Sequence, residues 1–444
     1  MIRVAFDISV LGAYFDRFDS KHGIARVVEE VLTEICKRNN IEMTAVGLCG
    51  DDPLADSIKA LLYLEHKKPA LSCGFSYTFR VSPGLTKLYT TIFRTTLAGA
   101  LDRMPPRSTG SVSLRAIRSL LYRMVYQYRV VQLHRVFDYQ NFDVFHCPHL
   151  RLLSRDVTGD LPRIVTIYDL IPLLRRDFVR DIQLEIFQNL LAKIDVDRDW
   201  VTCISDFTRQ EFCEYTGMAR ERVFVTPLAA SDHFRPITDR EVIAAVRSRY
   251  GLSEGQYFLS LAAPQPRKNL AHLIRSFFRM LEDERLSDTY LVLAGSKDQG
   301  WMFEEIFAAA ESLSKQRSRI VFTGYVHDED LPALYSGAVA FVFPSLYEGF
   351  GLPPLEAMAC GTPVITSNTS SLPEVVGGAG LMVDPRDEDA LSQAMLEVLN
   401  NGRLRQELNR KGTKRAAEFS WKKCADETIR VYEAAVAEHR QEKQ

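Results

Sequence analysis

The amino-acid sequence predicts an α/β protein made of two doubly wound domains. A chain of 444 residues is too long for a single hydrophobic core. Strand-like and helix-like segments alternate along it twice over, which favours parallel sheets. The apolar fraction of 46% and the charged fraction of 25% are ordinary for a globular protein. We therefore expect two helix-covered sheets, with ligands beyond the carboxyl ends of their strands.

The first half contains six short apolar runs of strand length. They predict strands at residues 3–8, 43–48, 144–146, 163–168, 200–204 and 223–226. The helix after the first strand carries one apolar face, formed by Ile24, Val27, Val28, Val31, Leu32 and Ile35. These elements predict an N-terminal Rossmann-like domain over residues 1–235, followed by a linker at 234–238.

The second half repeats this pattern. It predicts strands at residues 257–262, 290–294, 320–323, 340–343, 364–366 and 380–383. The helix after its first strand again has one apolar face, formed by Leu270, Leu273, Ile274, Phe277, Phe278 and Leu281. These elements predict a C-terminal domain over residues 236–420, and a last helix over 421–444.

Two carboxylates, Glu348 and Glu356, are joined by a glycine loop and the start of a helix. Gly349 and Gly351 permit backbone torsions that other residues resist. Pro353 and Pro354 suit the first turn of a helix, where a missing N–H costs nothing. Such a helix start offers free N–H groups to a phosphate, and carboxylates accept hydrogen bonds from sugar hydroxyls. The combination predicts a nucleotide-sugar site.

The segment 343–364 resembles the E-x7-E motif of retaining glycosyltransferases, and its surroundings resemble glycosyltransferase family 4 of the GT-B fold. The likeness is strongest over residues 257–385. It implies two Rossmann-like domains facing across a cleft, the first binding the acceptor and the second the nucleotide sugar, with the last helix crossing back to the first domain. It also implies that Glu356 holds the ribose hydroxyls and that Glu348 lies near the transferred sugar. Glu348 is then either the nucleophile of a double displacement or a stabiliser of a front-face substitution, and both readings stay open.

The resemblance implies further contacts with the donor. Lys268 matches the family's diphosphate-binding lysine, Arg267 is a second cation, and Ala262 replaces an arginine of many relatives. Backbone N–H groups are expected to replace a metal ion at the diphosphate, and they belong to Phe350, Gly351 and Leu352. Contacts with the base, the sugar or the phosphate are expected at Gly295, Tyr325, Val326 and Gly23.

Two strand ends in the first half resemble segments that line the family's reaction centre. Asp169 is expected to orient the acceptor hydroxyl, and His146 is a second catalytic candidate. A lone histidine is commonly structural, so that alternative stays open for His146. Tyr168 replaces a histidine of many relatives. Ser205 is explained by helix capping alone.

Residues 76–135 contain ten Lys or Arg residues and one acid. Apolar and aromatic residues lie between the cations, several of them at helical spacing. Basic amphipathic elements bind anionic membranes, which would bring the enzyme to a lipid-linked acceptor. The other interpretation is a helical excursion that packs on the first domain.

Several classes of protein are disfavoured. A net charge of −2 argues against a general nucleic-acid binder. The eight cysteines show no C-x-x-C pair and no zinc-like spacing. Asp195 and Asp197 match the D-x-D motif of metal-dependent glycosyltransferases by letter, but their polar context is more typical of a solvated segment. No G-x-G-x-x-G turn of an oxidoreductase is present. Neither a leader nor a membrane-length apolar run is found, so a cytoplasmic or peripheral location is expected.

These observations lead to an expected function. The chain is expected to be a retaining glycosyltransferase that needs no metal and no cofactor. The expected donor is GDP-mannose, because segments 168–172 and 266–269 resemble those of mannosyltransferases. The expected acceptor is a glycan or a lipid-linked oligosaccharide of surface polysaccharide biosynthesis. Transfer from UDP-glucose or another nucleotide sugar is the alternative, as is a noncatalytic glycan- or nucleotide-binding relative.

Overall fold

The computed structural model describes residues 1–13, 23–47, 60–61, 63–65, 71, 73–77, 138–150, 152–252, 254–261, 265–282, 288–295 and 318–444. The basic segment 76–135 lies outside these residues except for positions 76 and 77, and Ala262 lies outside them as well. Among the helices in these ranges, none is both long and apolar enough to cross a membrane.

The first sheet has seven strands in the order β3-β2-β1-β4-β5-β6-β7. Their bounds are β1 Ile2–Asp7, β2 Ile41–Gly47, β3 Gly74–Tyr77, β4 Val144–Cys147, β5 Arg163–Ile167, β6 Trp200–Cys203 and β7 Val223–Val225. In its parallel register Val4 of β1 lies opposite Met43 on one side and Val144 on the other. The six predicted strands are confirmed to within two residues, whereas the short edge strand β3 was not predicted.

The helices of this part of the chain follow the strands. They are α1 Ser9–Ala13, α2 Gly23–Ile35, α3 Arg155–Thr158, α4 Ile171–Leu174, α5 Asp181–Leu191 and α6 Asp206–Thr216. The predicted apolar face of α2 is confirmed, because Val28, Leu32 and Ile35 are buried.

The second sheet has six strands in the order β10-β9-β8-β11-β12-β13. Their bounds are β8 Gln256–Leu261, β9 Thr289–Ala294, β10 Ile320–Gly324, β11 Ala340–Phe343, β12 Val364–Ser367 and β13 Leu381–Val383. All six agree with the predicted strands to within one residue. The order reverses between β8 and β11, which lie side by side and parallel. Loops that leave such a pair of strands diverge and open a crevice for a ligand.

The remaining helices belong to this second half. They are α7 Arg240–Arg249, α8 Leu270–Met280, α9 Leu331–Ser336, α10 Leu352–Ala359, α11 Leu372–Val376, α12 Glu388–Asn400, α13 Gly402–Ala416 and α14 Trp421–Glu442. Leu273, Ile274 and Phe277 of α8 are fully buried in the core of the sheet. Burial of one such side chain stabilises the fold by about 2 kcal/mol.

Two compact units are present. The first comprises Met1–Val165, Arg198–Trp200 and Val431–Gln444, and the second comprises Thr166–Asp197 and Val201–Arg430. The predicted domain bounds 1–235, 236–420 and 421–444 stay predictions.

Candidate functional site

The switch point of the second sheet brings the predicted donor residues together. The 3-10 turn Pro266–Lys268 lies between β8 and α8. The loop that carries Glu348 leads from β11 to α10. The two loops are joined by backbone contacts, since the Arg267 carbonyl accepts a hydrogen bond from the Leu346 N–H at 2.7 Å. The adjacent residues Arg267 and Lys268 therefore lie close to Glu348, which is 80 positions after Lys268 in the sequence.

The Glu348 carboxylate is held by two cations. Lys268 Nζ lies 2.7 Å from Oε1, and an Arg267 guanidinium nitrogen lies 2.5 Å from Oε2. The carboxylate is 10% exposed and the Lys268 side chain 11% exposed, so neither charge is screened by bulk water. Lys268 Nζ also lies 4.5 Å from the centre of the Phe343 ring. The cluster is an almost buried ion-pair network in the loops that follow β8 and β11.

The charges in this network shift each other's protonation. Burial alone would raise the pKa of Glu348, but Arg267 and Lys268 outweigh it and lower that pKa to about 2. Burial and the neighbouring Arg267 lower the pKa of Lys268 to about 8, against the opposing effect of Glu348. Glu348 is thus a carboxylate throughout the physiological range, and Lys268 is a cation that loses its charge in mildly alkaline solution.

Three short polar side chains, which the sequence analysis did not single out, support this network. Ser345 Oγ donates to Glu348 Oε1 at 2.6 Å. Ser370 adopts the left-handed backbone conformation, with φ of 53°, and its Oγ accepts from the Glu348 N–H at 3.0 Å. Asn269 is also left-handed, with φ of 58°, and its amide donates to the Pro344 carbonyl at 3.1 Å. Left-handed residues other than glycine are rare, and two of them next to the predicted site mark a constrained backbone.

The glycines of the loop serve different purposes. Gly351 has φ of 124°, a torsion that disfavours any side chain, as expected. At Gly349 the reason is contact rather than torsion: a Cβ there would lie 2.0 Å from the Tyr168 carbonyl oxygen and 3.0 Å from Asp169 Cβ. Only glycine allows the Glu348 loop to pack against the segment that carries Asp169.

Asp169 lies beside the cation cluster. Its Oδ1 accepts a hydrogen bond from the Ile171 N–H at 2.9 Å. Burial raises the pKa of Asp169, against the opposing effect of Arg267, and the nearby Glu348 raises it further. Two carboxyl groups whose pKa values are moved in opposite directions therefore lie close together, which is the pattern of sites that divide acid–base roles between two carboxyls.

The interpretation of Ser205 as a helix cap alone was incomplete. Ser205 caps α6, since its Oγ accepts from the Thr208 N–H at 3.0 Å. Its hydroxyl also lies 2.7 Å from the Gly349 carbonyl oxygen, to which Thr208 Oγ1 is close at 3.2 Å. The start of α6 thus holds the backbone immediately after Glu348.

The other donor-site candidates lie at the start of α10 or along it. Leu352 is the first residue of α10, and Pro353 and Pro354 follow it in the first turn, as predicted. The Phe350 side chain is buried against Phe419, with ring centres 5.8 Å apart, so only its backbone is available to a ligand. Glu356 is 4% exposed, and its Oε2 accepts a long hydrogen bond of 3.4 Å from the Tyr335 hydroxyl.

The base-site candidates lie at the carboxyl ends of the neighbouring strands. The Gly295 N–H donates to the Gly324 carbonyl at 3.0 Å, directly before Tyr325. Tyr325 is 38% exposed and stacks edge-on with His327, whereas Val326 is buried. An exposed ring at the strand ends offers a surface against which a planar base can pack.

His146 and Gly23 belong to the first compact unit. His146 Nδ1 lies 2.7 Å from the Tyr432 hydroxyl, and the His146 ring packs edge-on against Phe6. Burial lowers the pKa of His146 to about 3, so its ring is neutral. These contacts favour a structural role for His146, and its catalytic role stays a prediction. Gly23 begins α2, and a Cβ added there would have no atom of the described residues within 4 Å.

The D-x-D alternative has a local explanation. Asp195 Oδ1 accepts a hydrogen bond from the Asp197 N–H at 3.2 Å, which closes a turn after α5. Across the part of the chain that the structure describes, no three His, Cys, Asp or Glu side chains form a group that could hold a metal ion.

Comparison with known proteins places this arrangement in a family. The family described as Glycosyl transferases group 1 matches residues 244–415, which include the whole cation–carboxylate cluster. O-antigen chain mannosyltransferase B from Escherichia coli is 35% identical over 318 residues, which are 70% of this chain and 78% of that protein. A GDP-mannose-dependent alpha-(1-6)-phosphatidylinositol monomannoside mannosyltransferase from Mycolicibacterium smegmatis is 32% identical over 229 residues, or 50% of this chain and 58% of that protein.

Solved structures share the fold. HepE from Anabaena, crystallised with UDP and glucose, superimposes with a TM-score of 0.61 over 98% of this chain and 100% of that chain, at 13% identity. The predicted GT-B fold is thereby confirmed. The chain belongs to the group 1 glycosyltransferases, so the expected resemblance to family 4 mannosyltransferases is confirmed and the protein is a hexosyltransferase.

Proposed function

We propose that this glycosyltransferase transfers mannose from GDP-mannose, with retention of configuration and without a metal ion, to a glycan or lipid-linked oligosaccharide acceptor of a surface polysaccharide. The observation that carries the proposal is the Glu348 carboxylate, which is held between Arg267 and Lys268 in the loop before α10. It puts cations for a diphosphate and a carboxylate for a sugar within one hydrogen-bonded cluster.

The diphosphate site follows from charge. Arg267 and Lys268 supply two positive charges against the single charge of Glu348, and burial, which raises the pKa of Asp169, disfavours a second negative charge beside them. The cluster can therefore accept a further anion. An arginine forms two parallel hydrogen bonds to a phosphate, and a lysine acts as a point charge. The backbone N–H groups of Gly351 and Leu352 add the positive end of α10. Together these groups supply the stabilisation of a leaving diphosphate that a metal ion provides in other enzymes.

The environment of Glu348 favours the electrostatic role over the nucleophilic one. Its oxygens already accept hydrogen bonds from Lys268 and Ser345 and pair with Arg267. A carboxylate with a pKa of about 2 is a weak nucleophile and a poor base, but it keeps its negative charge beside a developing oxocarbenium ion. In this proposal the leaving diphosphate accepts the proton of the acceptor hydroxyl, and Asp169 orients that hydroxyl.

The identity of the sugar and of the acceptor is supported by the relatives. One relative at 35% identity is named an O-antigen chain mannosyltransferase, and another at 32% is named as GDP-mannose-dependent.

A transfer assay tests it. The enzyme is incubated in EDTA with GDP-mannose, UDP-glucose or ADP-glucose and a mannose-containing oligosaccharide, and the product is analysed by NMR. Of the three donors, we expect only GDP-mannose to support transfer, and we expect the product to be α-linked. A requirement for Mn²⁺, a β-linked product or faster turnover with UDP-glucose would each contradict one part of the proposal. Absence of turnover and of any nucleotide binding would favour the noncatalytic alternative.

A further inference from the structure

The side chain directly before Glu348 has partners that the reaction as described does not use. Tyr347 is buried, and its hydroxyl donates to Glu211 Oε2 on α6. Its ring packs edge-on against Phe207, also on α6, with ring centres 5.6 Å apart. Its carbonyl oxygen lies 3.3 Å from a guanidinium nitrogen of Arg267. Tyr347 therefore links α6 to the loop that carries Glu348.

In the hydrogen bond between Tyr347 and Glu211, the proton stays on the tyrosine oxygen. Burial and the Glu211 carboxylate raise the pKa of Tyr347, so its hydroxyl keeps the proton that it donates. Burial also raises the pKa of Glu211, against the opposing effect of Tyr347. Asp169 lies within electrostatic range of both groups. The pair thus lies next to the two carboxyl groups that the proposed reaction uses.

The backbone on either side of Glu348 is held by the same helix. On one side Tyr347 binds Glu211, and on the other the Gly349 carbonyl lies within hydrogen-bond distance of Ser205 and Thr208. The segment that ends in Asp169 is packed against Gly349 without room for a Cβ. The contacts of α6 with residues 347–349 therefore help to fix the Glu348 loop relative to Asp169.

We propose that Tyr347 and Glu211 are positioning residues of the transfer reaction, an inference that rests on the proposed function. Their hydrogen bond fixes the Glu348 loop to α6 and so sets the spacing between the carboxylate facing the sugar and the Asp169 carboxyl facing the acceptor. The Tyr347 hydroxyl is bonded to Glu211, whereas the cations proposed to bind the donor are paired with Glu348. The pair acts on the geometry of transfer, not on the affinity for the nucleotide.

The test compares Tyr347→Phe, Glu211→Met and the double variant with the wild type. Each change removes one partner of the hydrogen bond and keeps most of the volume of the side chain. We expect kcat for mannosyl transfer to fall about tenfold in each single variant, because small misplacements of reacting groups are costly. The Kd for GDP should stay within about twofold, and the double variant should be no worse than the singles, since both remove one interaction.

A second readout separates positioning from general damage. GDP-mannose hydrolysis is measured in the same reactions, and we expect the ratio of transfer to hydrolysis to fall, because only transfer needs Asp169 to orient an acceptor. Matched controls are Tyr215→Phe and Glu214→Met, which alter exposed residues of the same helix and should leave both rates unchanged. If Tyr347→Phe folds poorly, Glu211→Met still tests the pair from its more accessible side.

The outcomes are distinguishable. Wild-type kcat in both variants, additive losses in the double variant, or a parallel loss of GDP binding and turnover would each overturn the inference while the wild-type activity stands. A wild type that neither transfers nor hydrolyses mannose from GDP-mannose would overturn the proposed function, and the inference with it.

Discussion

Glu348, in the loop after β11, and His146, within β4, are both buried titratable residues, and they have opposite surroundings. Glu348 is buried among cations and hydroxyl donors and keeps its charge. His146 is buried among aromatic rings and a phenol, and it gives up its charge. Burial alone therefore does not identify a functional group. A buried charge that the fold retains at the cost of desolvation indicates function more strongly than a buried neutral group does.

The largest expected effect is on catalysis at Glu348. Glu348→Ala should lower kcat for transfer by at least about a hundredfold, because it removes a fixed charge beside the transition state. The affinity for GDP should be unchanged or higher, because Arg267 and Lys268 lose their internal partner. Steady-state kinetics measures kcat, and isothermal titration calorimetry measures the Kd for GDP. Equal losses of turnover and affinity would show that Glu348 holds the nucleotide instead.

A second expected effect concerns the charge on Lys268. Because the pKa of Lys268 is lowered to about 8, the lysine becomes neutral in alkaline solution and no longer attracts a diphosphate. The Kd for GDP should rise about tenfold between about pH 7 and about pH 9. Lys268→Arg is the control, because arginine stays charged over this range. An identical pH dependence in both proteins would assign the effect to the nucleotide rather than to Lys268.

His146 should make the free energy of unfolding depend on pH. The pKa of His146 is about 3 in the folded protein and about 6.5 when exposed, so the unfolded state binds the extra proton between these values. Stability should therefore fall as the pH is lowered, by about 2 kcal/mol between about pH 7 and about pH 5. Urea unfolding of the wild type and His146→Gln at both pH values isolates this contribution. A constant difference between the two proteins would mean that the pKa of His146 does not change on folding.

The smallest expected effect is at the partner of His146. Tyr432→Phe removes one buried hydroxyl and should cost about 1 kcal/mol of stability. Transfer by the folded variant should stay within about twofold of the wild type, because this bond supports the fold. A large loss of kcat without a loss of stability would instead support the predicted catalytic role of His146.

Local sequence patterns were enough for most of the fold. Apolar runs between turn residues indicated twelve of the thirteen described strands, and only Gly74–Tyr77 was missed. That strand has four residues at the edge of its sheet, where little burial shapes the sequence. The spacing of Glu348, Gly351 and the two prolines indicated the loop and the start of α10 because those constraints are local.

Contacts between segments that are distant in the sequence could not be predicted from local sequence patterns. The need for glycine at position 349 comes from the Tyr168 carbonyl, which is 181 positions away in the chain. The support of Glu348 by Ser345 and Ser370, and of its loop by Ser205, depends on which segments meet in the fold. Serine is too common at turns and helix caps for its type alone to indicate such a role.

The central claim is that Arg267, Lys268 and Glu348 form a diphosphate site that works without a metal ion. The most direct test is the affinity of the wild type and Lys268→Ala for GDP and for guanosine, measured by titration calorimetry in EDTA. The wild type should bind GDP much more tightly than guanosine, and most of that difference should disappear in Lys268→Ala, with guanosine affinity unchanged. The same preference for GDP in both proteins, or no GDP binding by the wild type until Mn²⁺ is added, would contradict the claim.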